Sequence, residues 1–145
     1  MLYCAADKLF LSADQVLSKI SPNVSVWAVE PEQNSLGEYL ASLASLTTTL
    51  PYDVLVLPGH GVPFYGLKTR IKQLADHHED RCRLIAEACR DVSQTSRQLV
   101  PVVFNKYPLD VHQMGFASGE LIAHVNYMIN EGRLTSELTD GVLRF

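Results

Sequence analysis

The sequence predicts an α/β chain: short apolar strands and helices over residues 1–65, then a smaller helical segment, 66–145, closed by a hairpin. Three observations carry this reading. Apolar runs of strand length stand at Leu2–Ala6, Leu9–Ser12 and Asp53–Leu57. Apolar residues elsewhere recur at steps of three and four, the period of a helix with one buried face. Near the C-terminus, Asp140-Gly141 separates two short runs, as a tight hairpin turn does.

Taken in order, Asp7-Lys8 divides the first two runs, which read as a hairpin. A chain that starts inside a sheet needs a neighbour for its outer edge, so the reading expects something upstream. Val24–Val29 alternates around Ser25 and Trp27 and reads as a strand. Ser35 and Glu38 have capping-box spacing, and Leu36, Tyr39, Leu40, Leu43 and Leu46 predict a helix from Leu36 to about Leu46, stopped by Pro51. The run Val54-Leu55-Val56-Leu57 predicts a strand covered on both faces.

After Pro58-Gly59-His60-Gly61, the positions Leu67, Ile71, Leu74, His78, Cys82, Ile85 and Cys89 form one stripe of a long helix from about Leu67 to Val92. Ser93–Arg97 offers a new cap, and Pro101 makes the second helix short or kinked. Asn105–Asp110 reads as a loop and Phe116–Ile129 as a third helix, ended by Gly132. Helix, helix, helix and hairpin is the order of a winged-helix unit. The boundary is expected near residue 65, giving units 1–65 and 66–145.

Hydrophobic residues make up 47% of the 145 and charged residues 19%, the balance of a globular chain. A net charge of −4 argues against a general phosphate-binding surface. Cys4, Cys82 and Cys89 are odd in number and widely spaced, which suggests reduced thiols and a cytoplasmic protein rather than a disulfide framework. Asp7, Lys8 and Asp14 interrupt the N-terminus, so it carries no apolar targeting core, and no run is long enough to span a membrane.

Two residues stand out for chemistry. Asp14 and His60 each follow a strand, where a side chain is held rigidly yet faces a cleft. A carboxylate and an imidazole so placed are good zinc ligands. The plainer alternatives are a turn-capping aspartate and a surface histidine in a glycine-rich loop. His77-His78-x-Asp80 cannot chelate one ion, because adjacent helical residues point about 100° apart. His78 is expected in the core, His124 beside it, and His112 in a polar loop. No G-x-S-x-G, C-x-x-C or phosphate-cradling loop occurs, which removes serine-hydrolase, redox and P-loop readings.

The stretch Leu11-Ser-Ala-Asp14-Gln15-Val-Leu, with Ile20-Ser-Pro22-Asn23-Val24-Ser-Val after it, resembles the region of metallo-β-lactamase-fold proteins around their metal-bridging aspartate. Leu57-Pro58-Gly59-His60-Gly61 resembles their last metal-ligand histidine motif. Residues 66–145 resemble the winged-helix-like segment appended in the β-lactamase-like hydrolase subgroup, through His77-His78-Glu79-Asp80-Arg81, Gly119-Glu120-Leu-Ile-Ala-His124-Val and Glu131-Gly132-Arg133-Leu134. The resemblance implies the C-terminal half of an αββα sandwich followed by that segment. Asp14 would bridge two divalent ions, zinc in the complete family site, and His60 would bind one of them. It also implies hydrolysis of a small ester, thioester or lactone by a water that the metals activate.

The family's H-x-H-x-D-H motif and a further histidine have no counterpart, and Ala13 replaces the usual glycine before the aspartate. Two protein ligands cannot enclose two zinc ions. The expectation is therefore a chain that is not a competent hydrolase alone and that pairs with a missing N-terminal half or with further copies of itself. The alternative is a non-catalytic oligomerisation or nucleic-acid-binding module. DNA reading is disfavoured because Gly115–Glu131 contains no Lys or Arg.

Overall fold

The computed structural model describes residues 1–105 and 108–145. They form two compact units, residues 1–22 with 39–77, and residues 23–38 with 78–145. The expected loop Asn105–Asp110 lies partly outside the described residues.

The first unit is built on a three-stranded sheet. Strand β1, Leu2–Cys4, pairs antiparallel with β2, Leu9–Ala13, and β2 pairs parallel with β3, Leu55–Pro58. The turn from β1 to β2 is tight, with Lys8 at φ 51°, and the Lys8 ammonium meets the Asp53 carboxylate. Helix α1, Ser35–Thr49, enters this unit at Tyr39, and helix α2, Leu67–Cys89, leaves it at His77. Phe10, Val16, Leu17, Tyr39, Leu43, Leu46, Leu50, Val54, Val56, Leu67, Ile71 and Leu74 are its buried apolar residues. The expected stripes of the two helices therefore do face the core. Fully burying a side chain of this size contributes about 1.5–3 kcal/mol. Among the described residues the outer edge of β1 has no partner strand, and Leu2, Tyr3 and Leu11 stand exposed.

In the second unit α2 continues to Cys89, followed by α3, Ser96–Val103, and α4, Val111–Asn130. Strands β4, Glu137–Thr139, and β5, Val142–Arg144, close the chain as a hairpin. Its turn residues Asp140 and Gly141 both have positive φ (51° and 74°), the requirement of the two-residue turn that matches strand twist. Gln94 exchanges two backbone hydrogen bonds with Phe145, 2.9 Å each, tying the hairpin to the start of α3. Gly132 takes φ 69°, and Arg133 N–H and Gly132 N–H donate to Met128 and Ile129 carbonyls, which closes α4 as expected.

Three local expectations need correction. Val24–Val29 is not a strand. Val24 and Val26 are buried and the Val26 N–H donates to the Gly119 carbonyl of α4 at 3.1 Å. Its alternation reflects packing on a helix, with one backbone bond to that helix rather than a ladder. The cap of α1 is Asn34, whose side-chain oxygen accepts from Gly37 N–H at 3.1 Å, so Ser35 is already helical. Helix α4 starts five residues before the expected Phe116, because Asp110 and Gln113 form a capping box. Val111, Met114 and Phe116 in that first stretch are exposed, so no apolar stripe announced it.

Candidate metal centre

The site begins with strand direction. Strands β2 and β3 run parallel, so whatever follows each emerges at the same edge of the sheet. Asp14 follows β2 and His60 follows β3 after one glycine. In parallel sheets the carboxyl edge is where ligands bind, because both loops open there and the strands fix them.

Local irregularity then aims the carboxylate. Pairing slips between Leu11 and Ala13, a bulge at Ser12, so Leu11 faces Leu57 but Ala13 faces Pro58. Bulges re-aim side chains in this way. The buried Ser12 hydroxyl donates to the Val16 carbonyl at 2.8 Å, and Gln15 N–H donates to the Ser12 carbonyl at 3.1 Å. Ala13 is forced to φ 48°, a left-handed conformation that costs a non-glycine residue roughly 1–2 kcal/mol. The crowding expected from its methyl group thus takes the form of backbone strain, and the aspartate is still delivered to the rim.

Gly59 N–H donates to the Ala13 carbonyl at 2.8 Å and joins the two loops. Gly59 must also be small, because a Cβ there would lie 2.4 Å from Asp14 Oδ1. Gly61 turns at φ 89°, and a Cβ there would meet the Ser18 hydroxyl at 2.7 Å. The result is an Asp14 Oδ1 to His60 Nε2 separation of 3.5 Å, with both side chains well exposed. Two donors at about 2.0–2.2 Å from one tetrahedral ion lie roughly 3.3–3.5 Å apart. The pair therefore fits two corners of a zinc site. Among the described residues no group of three or more His, Cys, Asp or Glu side chains could complete it.

A cavity of about 250 Å³ adjoins His60, lined by Leu17, Ser18, Lys19, Ile20, Gly61 and Val62. A cavity of about 400 Å³ in the same unit is lined by apolar side chains with Ala13 and Gly59, and two larger ones, about 710 and 920 Å³, lie in the second unit. Among the described residues each of these two is lined by a single charged residue, Glu32 or Arg97. Volume and ionisable chemistry therefore do not coincide, and the site is better judged by its donors.

The remaining histidine positions hold a surprise. His78 and His124, both fully buried, meet with Nδ1 of the first 3.0 Å from Nε2 of the second. His124 Nδ1 is 2.7 Å from the Glu120 carbonyl, which can only accept, so that nitrogen carries a proton. His78 was expected in the core and His124 beside it, but their meeting was not. Next to them Arg81 pairs with Glu120 and lies 4.7 Å over the Phe104 ring. Burial pushes the Glu120 carboxyl up, against the pull of Arg81. Cys82 is pushed up to about 11 by burial, so its thiol is an inert packing group.

Residues 82–145 match the family described as "Metallo-beta-lactamase-like, C-terminal domain". That match covers less than half of the chain. Two crystal structures extend the likeness beyond it. A beta-lactamase domain protein from Burkholderia ambifaria is 45% identical, with a TM-score of 0.93, over 99% of this chain and 42% of that one. A metallo-beta-lactamase family protein from Thermus thermophilus is 28% identical, with a TM-score of 0.79, over 99% of this chain and 43% of that one. The chain therefore spans less than half the length of each. A comparison with curated proteins gives no match. Over nearly its whole length the chain is thus similar to part of metallo-beta-lactamase-like proteins. No helix among the described residues is long and apolar enough to cross a membrane.

Proposed function

We propose that this chain forms the C-terminal portion of a metal-dependent hydrolase acting on small esters, thioesters or lactones, with Asp14 and His60 as two of its zinc ligands. The 3.5 Å approach of Asp14 Oδ1 and His60 Nε2 carries this reading. When bound, a pair of zinc ions supplies Lewis acidity and lowers the pKa of a water. The chain's own part is to hold donors. The carboxylate has two oxygens and can serve two ions, while the imidazole nitrogen serves one. The cavity beside His60, with Ile20 and Val62 in its lining, gives an apolar substrate group a resting place.

Each ion needs three or four donors, so the 145 residues alone hold metal weakly and do not turn over substrate. The other ligands belong to a complementary N-terminal half, whose natural seat is the open edge of β1 with exposed Leu2, Tyr3 and Leu11. Without that half, the same surface favours self-association. The three α2–α4 helices and hairpin make a winged-helix-like segment. Helix α4 has no Lys or Arg, which disfavours nucleic acid as a partner. Reduced thiols and a cytoplasmic setting go with this reading.

Zinc titration of the chain, followed through the His60 ring signals by NMR, tests the proposal. Weak binding that disappears in Asp14→Asn is expected, without hydrolysis. A His60 ring indifferent to zinc overturns the ligand assignment. Stoichiometric tight zinc with turnover by the isolated chain overturns its incompleteness.

A further inference from the structure

Arg70 stands in the first turns of α2, the helix that begins where the His60 loop ends. That loop is fixed to the sheet by paired hydrogen bonds between Val56 and Phe64, 2.8 and 3.0 Å. It passes into α2 through Gly66 at φ 90°, whose carbonyl accepts from Arg70 N–H at 3.0 Å. Arg70 therefore rides on the same rigid piece as His60. Its side chain reaches the other loop. Nε donates to the Leu17 carbonyl at 2.7 Å and Nη2 to the Ile20 carbonyl at 2.9 Å. Nη1 donates to Gln73 Oε1 at 3.2 Å, which holds the guanidinium plane.

Resting on the zinc-ligand reading above, we propose that Arg70 is a positioning residue that locks the Asp14 loop to the His60 loop and thereby sets the two donor atoms at the spacing of one ion. The Asp14 loop has no regular secondary structure between β2 and residue 22, so its carbonyls need side-chain partners. Arg70 supplies two of them. Tyr39 supplies a third, its hydroxyl donating to the Gln15 carbonyl at 3.1 Å. A planar fork with several fixed donors can hold two carbonyls at once; a lysine ammonium is a point charge without that geometry. Arg70 contacts neither Asp14 nor His60 among the hydrogen bonds of this site, so its influence passes through the backbone.

The test uses the 145-residue chain with Arg70→Gln and Arg70→Lys. Three quantities are read: zinc affinity from the His60 ring signals, hydrogen exchange of the Gly59 amide, and Tm. Gly59 N–H reports directly on contact between the loops, because its acceptor is Ala13. Arg70→Gln is expected to weaken zinc about tenfold, the lower end for residues that orient ligands. It should also speed Gly59 exchange about tenfold. Arg70→Lys should fall between, while the Val56 amide in the sheet stays unchanged. Zinc affinity and Gly59 exchange both within about twofold of the parent would overturn the proposal. Should Arg70→Gln fail to fold, Arg70→Lys carries the test with the same two outcomes. If the parent chain ignores zinc, the ligand reading fails by itself, and Gly59 exchange still decides whether Arg70 locks the loops.

Discussion

Adding one methyl group at Gly59 should separate folding from ligand placement. In Gly59→Ala the new Cβ falls 2.4 Å from Asp14 Oδ1, 3.2 Å from the Ala13 carbonyl carbon and 3.4 Å from its oxygen. The two backbone contacts need a shift of only a few tenths of an ångström. The carboxylate contact cannot persist, so Asp14 must rotate away. Gly59 does not sit in the left-handed region, so its backbone accepts alanine. Crowding costs about 1 kcal/mol, and reduced freedom of the unfolded chain offsets about 0.4–1 kcal/mol of it. Net stability should lie within about 1 kcal/mol of the parent. Metal coordination tolerates only about 0.2 Å, so the rotated carboxylate no longer binds. Urea unfolding and a zinc titration read on the His60 ring give both quantities. The expected result is near-parental stability with the zinc response reduced to that of Asp14→Asn. Parental zinc binding by Gly59→Ala would show that Asp14 does not bind from this position, and the argument from the 3.5 Å separation would fail.

The remaining predictions concern strain and charge. Ala13→Gly relieves roughly 1–2 kcal/mol of left-handed strain and adds about 0.5–1 kcal/mol of unfolded-state entropy. It should stabilise the chain slightly, by about 0.5 kcal/mol, seen as a higher urea midpoint; destabilisation would contradict the strain. Arg81→Met alone should cost about 3–5 kcal/mol by leaving Glu120 buried without its partner, whereas Arg81→Met with Glu120→Leu should come close to the parent. A double-mutant cycle that is additive would deny the coupling. Glu79 is held below the usual carboxylate range by two hydrogen bonds from Arg133, 2.7 and 2.9 Å. Its contribution is present above its unfolded value and is lost as pH falls through the folded one. Glu120, raised by burial, has the opposite sign and favours the folded state as pH falls towards the unfolded value. Arg133→Gln should therefore flatten the acid limb of the stability curve, and Glu120→Gln should steepen it; unchanged slopes in both would refute these signs.

How much of this was legible follows from the range of each interaction. The stripes of α1 and α2 were readable because helical burial repeats locally, and Leu67, Ile71, Leu74, His78, Cys82 and Ile85 are all buried. Asp14 and His60 were readable as strand-end residues, and their meeting depends on β2 and β3 being parallel neighbours. The continuous run Val54–Leu57 suits a covered strand, but which strand it pairs with leaves no mark in either run. The His78–His124 contact depends on the rotational register of α2 against α4, which no single helix encodes. Arg70 was invisible for a related reason: its acceptors are main-chain carbonyls, which every residue possesses. Asp110 and Gln113, by contrast, carried a capping signal that an apolar-stripe criterion overlooked.

The distribution of strain bears on whether this rim is a site at all. Positive φ at Lys8, Asp140, Gly132 and Gly141 belongs to turns and a helix cap, where the chain must reverse or stop. Ala13 is different: it lies at the end of a strand, and a methyl group there opposes the conformation. What holds it is the set of bonds around it, Ser12 to Val16 and Gly59 to Ala13, with Val16 and Leu17 buried beneath. A relaxed Ala13 would break the Gly59 contact and carry Asp14 away from His60. Strain that the surrounding structure over-determines concentrates where a side chain must be presented in one direction. That the presented side chain is a carboxylate, and that the glycine opposite it leaves room only for its oxygen, supports a rim shaped to hold donor atoms rather than one merely left open.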